Sequence, residues 1–328
     1  SDGSPYMMRK AQRNVIVTAL QSAITASSEI RNETNRFNLI SSPGYTELLD
    51  EMITLSTDRK NTAFVVGDAP LRLAADSTST SAWANNTKVA DVNGEDGLVS
   101  SSPYAAVYYP HGLATNLDGT NVMVPASYMT LRTIAFNDQV AFPWFAPAGT
   151  RRGLVDNVAS IGYVNSVTGA FINDNIRESV RDTLYTNRVN PIAFFNGSGI
   201  LNYGNKSRAT SSSALDRINV ARLVGYLRRQ LQTIATGYVF EPNDKITRDE
   251  LKQQVEQTLN DLVAKRGVFD YLVVCDETNN TPARIDRNEL YVDVAIEPTK
   301  AAEFIFIPIR LKNTGEIASG NVAAASTV

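Results

Sequence analysis

Residues 184–244 read LYTNRVNPIAFFNGSGILNYGNKSRATSSSALDRINVARLVGYLRRQLQTIATGYVFEPND, and their order decides the fold. Val189–Phe195 is a buried strand with Pro191 near its start, where a missing N–H is tolerated. Asn196-Gly197-Ser198-Gly199 then breaks it. Val220, Leu223, Val224, Leu227, Leu231 and Ile234 recur at three- and four-residue steps, which predicts an amphipathic helix. Tyr238-Val239-Phe240 reads as a short aromatic strand that ends in Glu241-Pro242-Asn243-Asp244. A strand–loop–helix–strand unit of this kind places the chain in the α/β class.

The loop in this unit comes close to a phosphate cradle. Such a loop needs Gly-Lys-Ser/Thr after four intervening residues, so that the lysine covers the phosphates where a helix begins. Here Asn205 is inserted between Gly204 and Lys206-Ser207, and SRATSSSALD delays the helix by about nine residues. No helix N-terminus faces the glycines, so the loop reads as structural. Arg217, Arg222, Arg228 and Arg229 stud the helix. They are either a solvated face or a docking face for an acidic partner, since guanidinium forks bind carboxylates bidentately.

Downstream, Thr247-Arg248-Asp249-Glu250 has the form of a capping box, followed by Leu251, Val255, Leu259 and Leu262 on one face. Arg266-Gly267 closes that helix. Val268–Cys275 is a strand, and Leu290–Ile296 alternates apolar and polar residues. Glu303-Phe304-Ile305-Phe306-Ile307-Pro308-Ile309-Arg310-Leu311 is apolar on nearly every position, so both faces of a strand would be buried. Pro308 confines that strand to an edge or a bulge. A long apolar edge strand is an aggregation hazard unless another chain pairs with it. Residues 313–328 are small and polar, as in a mobile tail.

Upstream, helical and strand signals alternate. Residues 9–27 suit a helix, Phe37–Ile40 a strand, Leu48, Leu49, Met52 and Leu55 a helix, and Thr62–Val66 and Tyr104–Tyr109 buried strands. Alternation of this kind argues for a largely parallel sheet covered by helices. Residues 71–102 form a polar loop, with a short helix near Trp83, and residues 110–120 (PHGLATNLDGT) a turn-rich link. A helix opens at 124–127 and runs to about Asn137. Pro143 and Pro147 make Phe142–Gly149 an aromatic loop pinned on the core.

The 328 residues are 43% hydrophobic and 20% charged, with a net charge of −3. That is ordinary for a folded soluble protein and gives no global field for nucleic acid. No apolar run approaches the roughly 18 residues of a membrane span. The chain starts Ser1-Asp2-Gly3 without methionine, as a processed form or a fragment would. One cysteine, Cys275, and one histidine, His111, weaken every thiol, zinc and histidine-triad plan. Cys275 reads as a small buried residue, and His111, between Pro110 and Gly112, as a surface loop residue. Asp276, Glu277 and Asp286 could offer oxygen ligands to a cation, but Asn279-Asn280-Thr281-Pro282 between them reads as a plain turn.

Eight stretches in family order carry a resemblance: VNPIAFFNGSGI, RINVARLVGYLRRQL, GYVFEPND, AKRGVFDYLVVCDETNN, IDRNELYVDVAIEPTKAAEFIFIPIRL and, earlier, FNLISSPGYTELLDEM with NTAFVVGDAP and FPWFAPAGTRRG. Together they resemble the contractile tail sheath family of tailed phages, pyocins and related injection systems. CDETNNTPARIDRNEL is most similar to the sheaths of long-tailed contractile phages. The resemblance covers about residues 37–70 and most of 104–311. Departures are Asn196-Gly197 and Tyr203-Gly204 in the loop, and Ala221 where an arginine is usual, which thins the basic face. The family's extreme N-terminal arm also has no counterpart in the chain.

The resemblance implies a mainly parallel or mixed sheet flanked by helices over 1–180. A C-terminal α+β sheath domain follows over 181–312, with a C-terminal exchange strand formed by Glu303, Phe304, Ile305, Phe306, Ile307, Ile309 and Leu311. It implies a structural subunit with no catalytic, metal or cofactor site. Such subunits stack as hexameric rings around a tail tube protein, between baseplate and tail-terminator proteins, in a virion assembled in the host cytoplasm. They contact no nucleic acid directly and insert in no membrane. Tube docking is expected of the Arg217–Arg229 helix, with the helix 248–266 as second choice. The competing readings are another structural component of a contractile tail and a hydrolase or nucleotide-binding enzyme on a doubly wound sheet.

Overall fold

The computed structural model describes residues 7–85, 100–303 and 305–307. Along the chain run α1 (Met7–Ala26), β1 (Leu39–Ile40), α2 (Leu49–Asp58), β2 (Phe64–Asp68), α3 (Ser77–Ala84), β3 (Ala105–Tyr109), β4 (His111–Thr115) and β5 (Asn121–Val124). Then come α4 (Ala126–Val140), α5 (Gly149–Arg152), β6 (Ser160–Val164), β7 (Phe171–Asn173), α6 (Glu178–Thr186), β8 (Asn190–Phe195) and β9 (Gly199–Asn202). The C-terminal part holds α7 (Ile218–Thr236), α8 (Lys245–Ala264), β10 (Val268–Val274), α9 (Pro282–Ile285) and β11 (Asp293–Pro298).

The central sheet has the order β1-β2-β3-β8-β9. β1, β2, β3 and β8 are parallel, and β9 returns antiparallel to β8. Alternation along each strand sorts side chains between two cores. Val65, Val107, Tyr109 and Ala193 point to one face, against Leu49, Met52 and Leu55 of α2, Trp83 of α3 and Val180 and Leu184 of α6. Phe64, Val66, Ala106, Tyr108 and Ile192 point to the other, against Ala126, Met129 and Ile134 of α4 and Ile218 and Ala221 of α7. Burial on both faces explains why these strands read as unbroken apolar runs.

A second sheet, β5-β4-β6-β7, is antiparallel throughout. It corrects the expectation that 110–120 is only a link. It also corrects His111, which lies in β4 with no exposed surface rather than on a surface loop. Nδ1 of His111 accepts the Ala126 N–H at 3.2 Å, at the start of α4. Burial pulls the His111 pKa down, and the charge of Asp68 opposes that shift. Asp68 accepts from the Gly44 N–H at 2.7 Å, the Ser127 N–H and the Ser127 hydroxyl at 2.8 Å. The lone histidine and Asp68 are both buried and both bonded to the start of α4, which ties β4 and β2 to that helix.

The third core joins α7, α8 and the two-stranded β10–β11 sheet through Leu223, Leu227, Leu251, Val255, Leu259, Leu262, Val268 and Val273, with Trp144 from the aromatic loop. Trp144 stacks on Phe142 at 4.8 Å between centroids and donates from Nε1 to the Lys265 carbonyl at 3.1 Å. Gly267 packs against the indole: a Cβ there would sit 3.1 Å from Nε1 of Trp144.

Two local readings change. The aromatic segment 238–240 is not a strand. Only eight residues separate α7 from α8, and the two helices share one core, so this segment must reverse the chain. It does so as a turn, with Phe240 at φ +73°. The N-cap of α8 is Asp244, not Thr247: the Asp244 carboxylate accepts the Thr247 N–H at 2.9 Å. No helix among the described residues is long and apolar enough to cross a membrane.

Candidate functional site

The Gly-rich loop is a hairpin. β8 pairs with β9 from Ile192–Asn202 to Phe195–Gly199, and Gly197 and Gly199 take φ of +79° and +83°, which suits glycine. The residues that follow are bonded within the chain. Asn205 donates to the Asn219 side chain at 2.9 Å, Lys206 Nζ to the Tyr185 carbonyl at 2.9 Å, and Ser207 Oγ to the Leu215 carbonyl at 2.8 Å. Lys206 also lies 4.1 Å over the Tyr185 ring and bridges to Arg217 in backbone pairing. Burial lowers its pKa, and the neighbouring Arg217 adds to that. The loop thus works as a latch that holds the start of α7 against α6.

α7 is packed on two sides. Ile218 and Ala221 enter the core under the central sheet, while Leu223 and Leu227 enter the core shared with α8. A helix held in this way sends its arginines to different surroundings. Arg222 points inward, with its side chain 3% exposed, and grips Asp138 of α4 bidentately, with Nη1 to Oδ1 at 3.0 Å. Arg217 caps the helix and pairs with Asp216 and Glu303. Arg228 donates to the Lys60 carbonyl at 3.2 Å and lies 5.2 Å over the Tyr104 ring. Arg229 is half-buried and lines a cavity toward residues 31–62. The four arginines therefore serve four separate environments.

Glu303 is the first residue of the expected exchange strand, and it is fixed. Its carboxylate takes the Arg217 guanidinium on Oε1 and the Tyr185 hydroxyl on Oε2 at 2.8 Å. Burial raises the Tyr185 pKa, and the adjacent Glu303 charge raises it further. Beyond this clamp the chain leaves the body. Ile305, Phe306 and Ile307 are 78%, 88% and 76% exposed and belong to no strand of this single chain. Phe304 and residues 308–328, including Pro308, Ile309, Leu311 and the expected tail, lie outside the described residues, as do residues 86–99 of the polar loop.

The β10–β11 sheet next to this clamp has two strands among the described residues. Phe269 and Leu272 of β10 are 68% and 62% exposed on the face away from α8. α8 itself buries Leu251, Val255, Leu259 and Leu262 and turns a polar face outward, with Asp249, Gln253, Gln254, Gln257 and Asn260 exposed along its length. Cys275 is buried, and burial raises its thiol pKa. Asp276 closes a local turn by accepting from the Thr278 N–H at 2.8 Å. Among the described residues no His, Cys, Asp and Glu side chains gather in a metal-binding group.

With this geometry in view, comparison with known proteins converges on one family. Residues 210–312, which hold α7, α8, β10, β11 and the Glu303 clamp, match the phage tail sheath C-terminal domain family. The tail sheath protein of Vibrio phage KVP40 is 36% identical over 185 residues, covering 56% of this chain and 26% of the relative. That of Enterobacteria phage T4 is 32% identical over 216 residues, covering 66% of this chain and 31% of the relative. The chain thus spans about a quarter to a third of the length of these relatives. Among solved structures, the sheath complex of an extracellular contractile injection system in its contracted state superposes with a TM-score of 0.69 at 19% identity, covering 88% of this chain and 75% of the other. The contracted helical sheath of the anti-feeding prophage gives 0.63 at 18%, covering 84% and 70%. At such identities these two show the shared fold.

Proposed function

We propose, from the premise that residues 210–312 carry a phage tail sheath C-terminal domain and that the chain is a relative of tail sheath proteins, that it is a structural subunit of a contractile tail sheath. It polymerises around a tail tube and is a component of the virion, put together in the host cytoplasm. Its work is mechanical and it carries out no reaction. A change in lattice contacts, made by rigid subunits, shortens the sheath and drives the tube through the host envelope. The partners are further copies in hexameric rings, a tube protein, and baseplate and terminator proteins at the ends.

One observation carries this reading: an exposed apolar run, Ile305–Ile307, leaves the body from a carboxylate clamped by Arg217 and Tyr185. A run of this kind needs a partner edge, and strand addition supplies one through main-chain hydrogen bonds. The two-stranded β10–β11 sheet of a neighbouring copy offers open edges of the right kind. We assign Glu303–Leu311 to that exchange. Because the arginines of α7 are engaged within the subunit, tube docking is assigned to the outward polar face of α8.

The test is electron microscopy of the chain produced together with its tube protein. Striated hollow cylinders are expected, and removal of residues 304–311 should abolish them while leaving a folded monomer by circular dichroism. Absence of cylinders from the intact chain, or normal cylinders without 304–311, contradicts the reading. For the docking face, Gln253→Glu with Gln257→Glu should change the yield of tube-bound sheath. Unchanged yield returns tube docking to another surface.

A further inference from the structure

Between the N-terminal α/β part and the C-terminal half of α7 lies an open cavity of about 400 Å³. Its walls include Arg36 and Phe37 from the segment before β1, Lys60 from the turn after α2, and Tyr226 and Arg229 from α7. Two other cations nearby are already satisfied. Arg31 pairs with Asp58 at 2.8 Å, and Arg59 donates to the carbonyls of Ile30, Asn32 and Asn35 while covering one face of Phe37 at 4.1 Å. Glu33 and Asp58 are the acidic residues of the lining. No acidic side chain among the described residues forms an ion pair with Arg36, Lys60 or Arg229. Nε of Arg229 is buried with no hydrogen-bond partner. That atom has no surface open to the cavity, so what the cavity offers an acidic partner is the charge of Arg36, Lys60 and Arg229, which no carboxylate among the described residues balances by an ion pair.

The same chain carries a matching projection. Segment 237–297 holds 13 acidic and 7 basic residues, against 34 and 31 in the whole chain, so the α8–β11 lobe is acidic and the remainder net basic. At its tip, the turn after α7 exposes Phe240 completely, at a left-handed φ of +73°, beside half-exposed Val239 and exposed Glu241. A bulky residue held at positive φ with its ring in water is strained and wastes apolar surface.

We propose that the Val239–Glu241 turn of a second copy docks in this cavity. Phe240 packs against Phe37 and Tyr226, and the Glu241 carboxylate meets Arg36, Lys60 and Arg229. The contact joins unlike surfaces, and such a contact can propagate from copy to copy, as a polymer requires. It is separate from strand exchange and rests on the reading of the chain as a polymer-forming subunit.

Charge reversal tests it. Arg36 and Lys60 are both exposed, so Arg36→Glu with Lys60→Glu leaves the fold intact. This double variant is expected to weaken self-association at least tenfold, read by sedimentation velocity and by electron microscopy of sheath, because like charges then face each other. Glu241→Arg alone should do the same. The chain carrying all three changes should recover to within about threefold of wild type, and added salt should weaken the wild-type contact. Arg229→Gln, which keeps a neutral donor, gives an intermediate loss and tests the buried position without reversal. Normal assembly of Glu241→Arg, or a combined variant no better than its parents, overturns the docking. A wild-type chain that never assembles overturns the sheath reading itself, and the docking with it.

Discussion

The Arg222–Asp138 pair separates a structural arginine from a docking one, and its removal has a calculable cost. Asp138→Ala leaves a guanidinium whose side chain is 3% exposed with the Pro143 carbonyl at 3.4 Å as its other acceptor. Breaking a buried pair from one side costs about 3–5 kcal/mol, because the remaining charge stays desolvated. Asp138 is 20% exposed, so water reaches part of the site and the lower end of that range, about 3 kcal/mol, applies. At about 2 °C per kcal/mol, as for large domains, Tm should fall by about 6 °C. Arg222→Met removes the charge and keeps the aliphatic packing. It should cost less than about 1.5 kcal/mol, since replacing a buried pair by apolar groups is often near neutral. Differential scanning calorimetry of wild type, both single variants and the double variant gives the coupling directly. In the double variant most of the loss seen with Asp138→Ala should disappear. If Asp138→Ala melts within 1 °C of wild type, or if Arg222→Met assembles poorly while remaining stable, Arg222 faces a partner and the internal-pair argument fails.

Further outcomes follow from the other sites. Ile305→Asp with Ile307→Asp should leave the stability of the isolated chain unchanged within about 0.5 kcal/mol, because both side chains are exposed, yet prevent cylinder formation under the microscope. Gly267→Ala pushes a methyl against the Trp144 indole and should cost about 1–3 kcal/mol with an altered tryptophan emission spectrum. His111 accepts an N–H on Nδ1 and burial lowers its pKa, so the unfolded chain binds the proton more tightly. Stability should therefore fall as pH drops below about 6.5 in thermal melts. His111→Asn, which retains an acceptor, should flatten that slope between about pH 5 and 6.5. Glu303→Gln loosens the clamp on the emerging segment and should raise amide exchange at 300–303 without lowering global Tm by more than about 2 °C.

What could be read from the sequence was what is encoded locally. β2, β3 and β8 announce themselves because strands buried on both faces need unbroken apolar runs, as in Phe64-Val65-Val66 and Ala105–Tyr109. α7 and α8 announce themselves by their stripes. The second sheet stayed hidden because its strands are short and two of them carry a glycine. Gly112 and Gly162 sit where a side chain has no room: a Cβ on Gly162 would lie 1.9 Å from the Ile172 carbonyl oxygen. Glycine there records a close approach of backbones, yet in sequence it looks like a turn. His111 was misplaced for the same reason, since its neighbours Pro110 and Gly112 mimic a loop. The arginines of α7 defeated local reading because their partners are distant. Arg222 meets Asp138 across 84 residues and Arg217 meets Glu303 across 86. A spacing pattern on one helix cannot say which of its charges lean on another element.

The arrangement around Glu303 also bears on how such a subunit reconciles rigidity with reach. The body behind the clamp is continuous. The hairpin latch at Asn205–Ser207 fixes the start of α7, α7 joins two cores, and Arg217 at its cap holds Glu303. Under the proposed strand exchange, tension on the segment beyond Ile305 would be delivered through the clamp to the central sheet and the α8 lobe together. A clamp at the exit also limits the ordering entropy that must be lost when the strand adds to a neighbour, because the residue before it is already held. Under the strand exchange proposed above, the apolar character of the exposed Ile305-Phe306-Ile307 run would be what makes addition to a β10–β11 edge favourable.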